Sequence, residues 1–141
     1  MDEYPDHYRG VTLPGLAART QDHLRQWDLP GRLKDACSCL PRRCRTPAEA
    51  HDELVRDRLR RVPLEKLHHS VAASMVVPVP PGAPILMPGE ATGPRRGAFT
   101  GYLFGLRDFD RSFPGFEHDV RGLTRDRSGE YWIDCLRDAS G

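Results

Sequence analysis

Apolar residues recur at helical spacing through the first quarter of the chain, where Leu13, Leu16, Ala17, Leu24 and Trp27 fall on one side of a 3.6-residue period. Thr12 can cap that helix, Pro14 suits its first turn, and Pro30-Gly31 marks a stop. The spacing predicts a second, short helix over 31–39, dissolving between Cys37 and Arg45 into a loop around Pro41. Thr46-Pro47-Ala48-Glu49 is a start signal of a sharper kind, because Thr46 can cap, Pro47 fits the first helical position and Glu49 can close a capping box. A helix from 47 to about 58 follows, with a narrow apolar face of Ala50, Leu54 and Val55 that places it on the surface. Val62-Pro63-Leu64-Glu65-Lys66-Leu67 predicts a turn into a short helix, and 71–77 a short buried strand. Beyond Gly93-Pro94, one more helix carries Phe99, Tyr102, Leu103, Leu106 and Phe109 on a single face. Gly101 and Gly105 inside it either permit a close helix contact or only weaken the helix; the second reading is taken. Phe113-Pro114-Gly115-Phe116-Glu117 is a turn, and Val120–Leu123 and Glu130–Leu136 are two strands joined around Arg127-Ser128-Gly129. The order predicts an α+β fold in a single small domain spanning 1–141, with amphipathic helices, a short buried strand, a proline-rich extended arm, a C-terminal hairpin and an irregular lead-in at 1–11.

The arm is the run from Ser74 to Glu90. Pro78, Pro80, Pro81, Pro84 and Pro88 each fix φ and delete a backbone donor, so an extended path outside any ladder is expected. A flexible linker is polar, whereas Val79, Ile85, Leu86 and Met87 are interleaved with these prolines and favour burial. The expectation is a rigid arm packed across a surface.

Composition narrows the classes. The 141 residues suffice for one modest core and not for a cofactor domain beside an accessory one. Charged residues make up 29% with a formal net charge of +1, so no long-range field suited to nucleic acid or an anionic membrane is expected. Arg42, Arg43 and Arg45 form one basic cluster and Arg56, Arg58, Arg60 and Arg61 another, but Asp52, Glu53 and Asp57 lie among the second, which reads as a solvated face. The opening Met1-Asp2-Glu3-Tyr4-Pro5 has no basic or apolar leader pattern, and no stretch reaches membrane-spanning length. A cytoplasmic chain with Cys37, Cys39, Cys44 and Cys135 as reduced thiols is expected.

The segment VAASMVVPVPPGAPILMPGE, followed by FPGFEHDVRG, resembles the C-terminal domain of the pyridoxal-phosphate-dependent ornithine/lysine/arginine decarboxylases, with their PYPPG-x-P-x-x-x-PGE arm and later PGFE turn. The likeness extends through Thr46-Pro47-Ala48-Glu49-Ala50, Val62-Pro63-Leu64-Glu65 and Tyr4-Pro5-Asp6-His7-Tyr8. It departs at Val79, where the family pattern has tyrosine, and at Arg121, where it has histidine. The resemblance implies an accessory domain that packs beside a cofactor domain in cis or in trans, helps form the channel to the active site and supports oligomer assembly. In the complete family enzyme, pyridoxal phosphate serves the decarboxylation of ornithine, lysine or arginine to a polyamine or diamine.

Candidate chemistry agrees with that division of labour. Lys34 and Lys66 are the only lysines, neither lies in the Ser-x-His-Lys setting of the family, and no glycine- and serine-rich turn opens a helix to hold a phosphate. No catalytic residue, no bound cofactor and no metal are therefore expected of this chain alone. Glu90, the one carboxylate held by the arm, is the candidate for facing a cationic substrate in the channel; the plainer reading is a turn carboxylate that accepts backbone N–H groups. Glu117 and Asp119 are weighed in the same way. Cys37, Cys39 and Cys44 have a spacing unlike common zinc knuckles and would need His23, His51 or Cys135 as a fourth ligand. Adjacent His68 and His69 at a strand entrance would point apart. The alternatives are a free-standing interaction protein derived from the family and, further off, a small metal-binding module.

Overall fold

A computed structural model describes residues 4–140. Helix α1 (Leu13–Trp27) is capped by Thr12, whose hydroxyl accepts the Gly15 N–H. It ends at Asp28, which adopts a left-handed conformation, and α2 (Leu29–Ser38) begins at the next residue with Pro30 in its first turn. Pro30 therefore opens a helix as well as following one, as its fixed φ and missing donor allow. Leu13 is mostly exposed, so the buried stripe of α1 is narrower than expected and rests on Leu16, Leu24 and Trp27. Helix α3 (Pro47–Val55) has the expected capping box in full, and it stops three residues short of 58. It touches the rest of the protein through the buried Ala50 and leaves Val55 exposed.

Strand β1 (Leu59–Pro63) was not anticipated, because Arg60 and Arg61 hide a segment in which Val62 alone is fully buried. A 3₁₀ turn (Leu64–Lys66) follows, with Leu64 and Leu67 in the core. The expected strand over 71–77 is divided: β2 (Ser70–Ala72) and β3 (Val77–Val79) belong to different sheets. Pro78 lies within β3 and is paired with Val120, so the ladder reaches into the proline run. Proline is tolerated because β3 is an edge strand.

Helix α4 (Ala98–Ser112) is the central element, and all five residues of its expected face are buried. Gly105 proves to be a contact glycine: a Cβ there would lie 2.5 Å from Leu29 Cδ2. Gly101 likewise lies beneath Arg32, at 2.9 Å from where a Cβ would be. The close approach of α2 to α4 thus corrects the reading of Gly105 as a simple weakness, whereas Gly101 meets only the end of the Arg32 side chain.

The expected strand at 120–123 is also split. Strand β4 (Asp119–Arg121) pairs with β3, whereas β5 (Leu123–Arg125) forms the hairpin with β6 (Tyr131–Ser140). Gly122 makes the break, with φ of 83° and no room for a side chain against the Met75 carbonyl. β6 is long because it is shared. β1 and β5 both pair with Ile133, and β1 and β2 both pair with Cys135, so β1 takes one edge while β5 and β2 divide the other. The main core lies between this sheet and α4, centred on Leu64, Leu67, Leu103, Leu106, Tyr131 and Ile133. A smaller cluster of Ala50, Val71, Ala73 and Leu136 seats α3 on the opposite side.

Candidate functional site

The proline arm is fastened by its backbone. Val76 and Leu86 form a bridge, with the Val76 N–H donating to the Leu86 carbonyl at 2.9 Å and the Ile85 N–H donating to the Val76 carbonyl at 2.9 Å. Further on, the Gly89 carbonyl accepts the N–H groups of Cys44 (2.9 Å) and Arg45 (3.0 Å), while the Gly89 N–H donates to the Ala72 carbonyl (2.8 Å). Gly89 is required here, since φ is 86° and a Cβ would sit 2.2 Å from the Arg45 carbonyl oxygen. Thr92 completes the seam from within the core, its hydroxyl donating to the Leu67 carbonyl and accepting the Ser70 N–H. The arm is thus clamped between the 42–45 loop and β2. Ile85 and Leu86 are buried and Met87 is partly exposed.

Glu90 sits at the end of that clamp. Its Oε2 accepts the Met87 N–H at 2.8 Å, which closes the turn, and Oε1 has no partner among the described residues. Glu117 faces Arg125 at 3.5 Å, and Asp119 is exposed.

A second polar centre was not anticipated. Asp110, on the inner face of α4, is 4% exposed and gathers donors from three other segments. Its Oδ1 accepts the His118 backbone N–H (3.0 Å) and faces His118 Nδ1 (2.9 Å); its Oδ2 accepts the Tyr131 hydroxyl and faces Arg125 Nη1 (3.5 Å). A buried carboxylate is tolerable only when it is supplied in this way. Burial, with the bond to Asp110, raises the Tyr131 phenol far above its ordinary range, so the hydroxyl stays a donor. The cluster ties α4 to the 113–118 turn and to both strands of the hairpin. In sequence Asp110 sits between Phe109 and Arg111 and resembles any helix-surface aspartate; its place beside Leu103 and Leu106 on the buried arc is the one available signal.

A third centre lies around Arg107, in the second half of α4. Arg107 Nη1 contacts both Glu130 oxygens at 2.9 Å, and Nη2 reaches Glu65 at 2.8 Å. Arg95 bonds the other Glu65 oxygen at 2.8 Å.

The remaining candidates lie apart from these centres. Lys34 is exposed on α2 and Lys66 on the 3₁₀ turn, and neither lines the larger cavities. A pyridoxal site needs a sheltered lysine beside an anion cradle, so these two residues do not fit one. Cys37 and Cys39 are exposed, whereas Cys135 is buried and its thiol is pushed up to about 12 by desolvation. His23 packs between Phe109 and Phe113, with Nε2 3.2 Å from Asp108, and His51, His68 and His69 are exposed. Among the described residues no group of three His, Cys, Asp or Glu side chains is arranged to hold a metal ion.

Comparison with known proteins gives these features a setting. A family model described as "Orn/Lys/Arg decarboxylase, C-terminal domain" matches residues 30–137. The constitutive lysine decarboxylase of Escherichia coli is 34% identical over 97% of this chain, and lysine decarboxylase LdcA of Pseudomonas aeruginosa is 37% identical over 93%. Among solved structures, lysine decarboxylase A from Pseudomonas aeruginosa superposes with a TM-score of 0.88 at 34% identity, and the Escherichia coli constitutive enzyme with 0.87. Each structure is matched across 96% of this chain, and the chain spans 19% of theirs.

Proposed function

The chain belongs to the family of ornithine/lysine/arginine decarboxylase C-terminal domains, and from that premise we propose that it is the accessory domain of a basic amino-acid decarboxylase, shaping the approach to an active site whose cofactor is held elsewhere. The observation that carries this reading is the match of nearly the whole chain to about a fifth of each relative. Its partner is a pyridoxal-phosphate domain in cis or in trans, within a cytoplasmic homo-oligomer.

The geometry suits such a role. An arm whose prolines and clamping bonds already set its shape loses little entropy on docking. Beside it, Leu40, Pro41, Ala91 and Phe99 line an apolar groove of about 600 Å³, and Leu40 is 94% exposed. Burial of this groove against the cofactor domain would shield it from water. Glu90 holds the turn through Oε2, so a contact with a cationic substrate would fall to Oε1. Val79, in place of the pattern's tyrosine, is half-buried and reaches the surface without a hydroxyl.

Adding pyridoxal phosphate to the purified chain, followed by borohydride reduction and mass analysis, tests whether chemistry resides here. No stoichiometric adduct on Lys34 or Lys66 and no release of carbon dioxide from lysine, ornithine or arginine are expected. A stoichiometric adduct with turnover would overturn the proposal.

A further inference from the structure

Arg32, Arg95, Arg96 and Arg107 converge on one open cleft of about 750 Å³ beside the first half of α4, whose other walls are Trp27, Glu65, Gly101 and Phe104. Arg107 is fully engaged by Glu130 and Glu65, and Arg95 shares Glu65. Arg32 and Arg96 have no carboxylate partner among the described residues. Four cations against Glu65 and Glu130 leave the cleft with an excess of positive charge, held on Arg32 and Arg96. We propose that this cleft binds a small multivalent oxyanion, a phosphate ester or a polycarboxylate, gripped by Arg32 and Arg96.

Arg32 is set for such a grip. Its Nε donates to the Trp27 carbonyl at 2.7 Å, and its guanidinium lies 5.6 Å from the centre of the Trp27 ring. Trp27 is itself fixed, because its indole N–H donates to Asp108 at 2.8 Å. The bond through Nε anchors the guanidinium while its two Nη groups make no hydrogen bond among the described residues, so a forked pair of donors remains for an oxyanion. Gly101 provides the space, since a Cβ there would come within 2.9 Å of Arg32 Nη1. Arg107 is stacked on Phe104 at 4.9 Å and gives the cleft a rigid floor. The volume suits a small molecule. More than one negative charge on the ligand is needed to engage two arginines that water and salt otherwise screen.

Calorimetric titration of the full 141-residue chain with pyrophosphate, and in parallel with citrate, at low ionic strength tests the proposal, with the Trp27 indole resonance as a local reporter. Saturable one-to-one binding of at least one of them is expected, with Trp27 perturbed and affinity reduced about tenfold or more in Arg32→Gln and in Arg96→Gln. Gly101→Ala, which displaces Arg32 without removing charge, should weaken binding as well, and Arg56→Gln, just past the end of α3, should not. Preference between the two anions assigns the ligand to phosphates or to carboxylates. The proposal is overturned by the absence of saturable binding of either anion, or by equal losses in Arg56→Gln and Arg32→Gln.

Discussion

The proline arm and the Asp110 cluster hold together by opposite means. The arm is fixed by main-chain bonds: the Gly89 carbonyl takes two N–H groups, Val76 and Leu86 form a bridge, and Glu90 adds one side-chain contact. At the Asp110 cluster a single buried carboxylate draws in His118, Arg125 and Tyr131 from different segments. Backbone fastening tolerates changes of side chain but not of backbone conformation, whereas a side-chain hub concentrates its stability in one residue.

That contrast can be broken by substitution. Asp110→Ala should be the most damaging, by about 3–5 kcal/mol in chemical unfolding, because it leaves buried donors without an acceptor. A loss under about 1 kcal/mol would show that water replaces the carboxylate. Gly89→Ala should cost about 3 kcal/mol, combining an unfavourable φ with a clash against the Arg45 carbonyl. Glu90→Gln should cost less than about 1 kcal/mol, since the amide oxygen can still accept the Met87 N–H; a larger loss would make the arm side-chain dependent as well.

The smallest effect concerns pH. The hydrogen bond from Arg107 holds the Glu65 carboxyl below its ordinary 4.5 despite partial burial. A lowered folded-state pKa gives stability that is present above the unfolded value and lost as pH falls through the folded one. Glu65→Gln should therefore flatten the decline in melting temperature below about pH 4.5. An unchanged profile would exclude this pair from the acid response.

The same contrast explains what could be read in advance. The helices announced themselves through local chemistry: Thr12 and Thr46 cap where expected, and the α4 stripe is buried as its period requires. The arm was visible because proline restricts φ wherever it stands. Beyond the C-terminal hairpin, which closes around 127–129 as expected, pairings were not visible. The chain from 71 to 77 looks like one apolar strand, and only the bend at 73–74 and the docking of Gly122 against Met75 divide it between two sheets. β1 was missed because the adjacent Arg60 and Arg61 are both exposed and leave Val62 as its one fully buried residue, and Gly105 was misjudged because Leu29, its partner, is 76 positions away. Asp110 shows the same limit at the level of chemistry, since each of its partners comes from a separate segment. The turn contact of Glu90, by contrast, was recognisable because Met87, which makes it, is a near neighbour in sequence.

The central claim, that this chain supplies shape to a decarboxylase whose chemistry lies elsewhere, is tested most directly by a graft. The constitutive lysine decarboxylase of Escherichia coli, with its own matching segment replaced by this chain, is assayed for lysine decarboxylation beside a variant lacking the segment altogether. The account predicts that the graft assembles and recovers decarboxylation above the truncated variant. A graft that folds and retains pyridoxal phosphate, yet is no more active or assembled than the truncated variant, would contradict it.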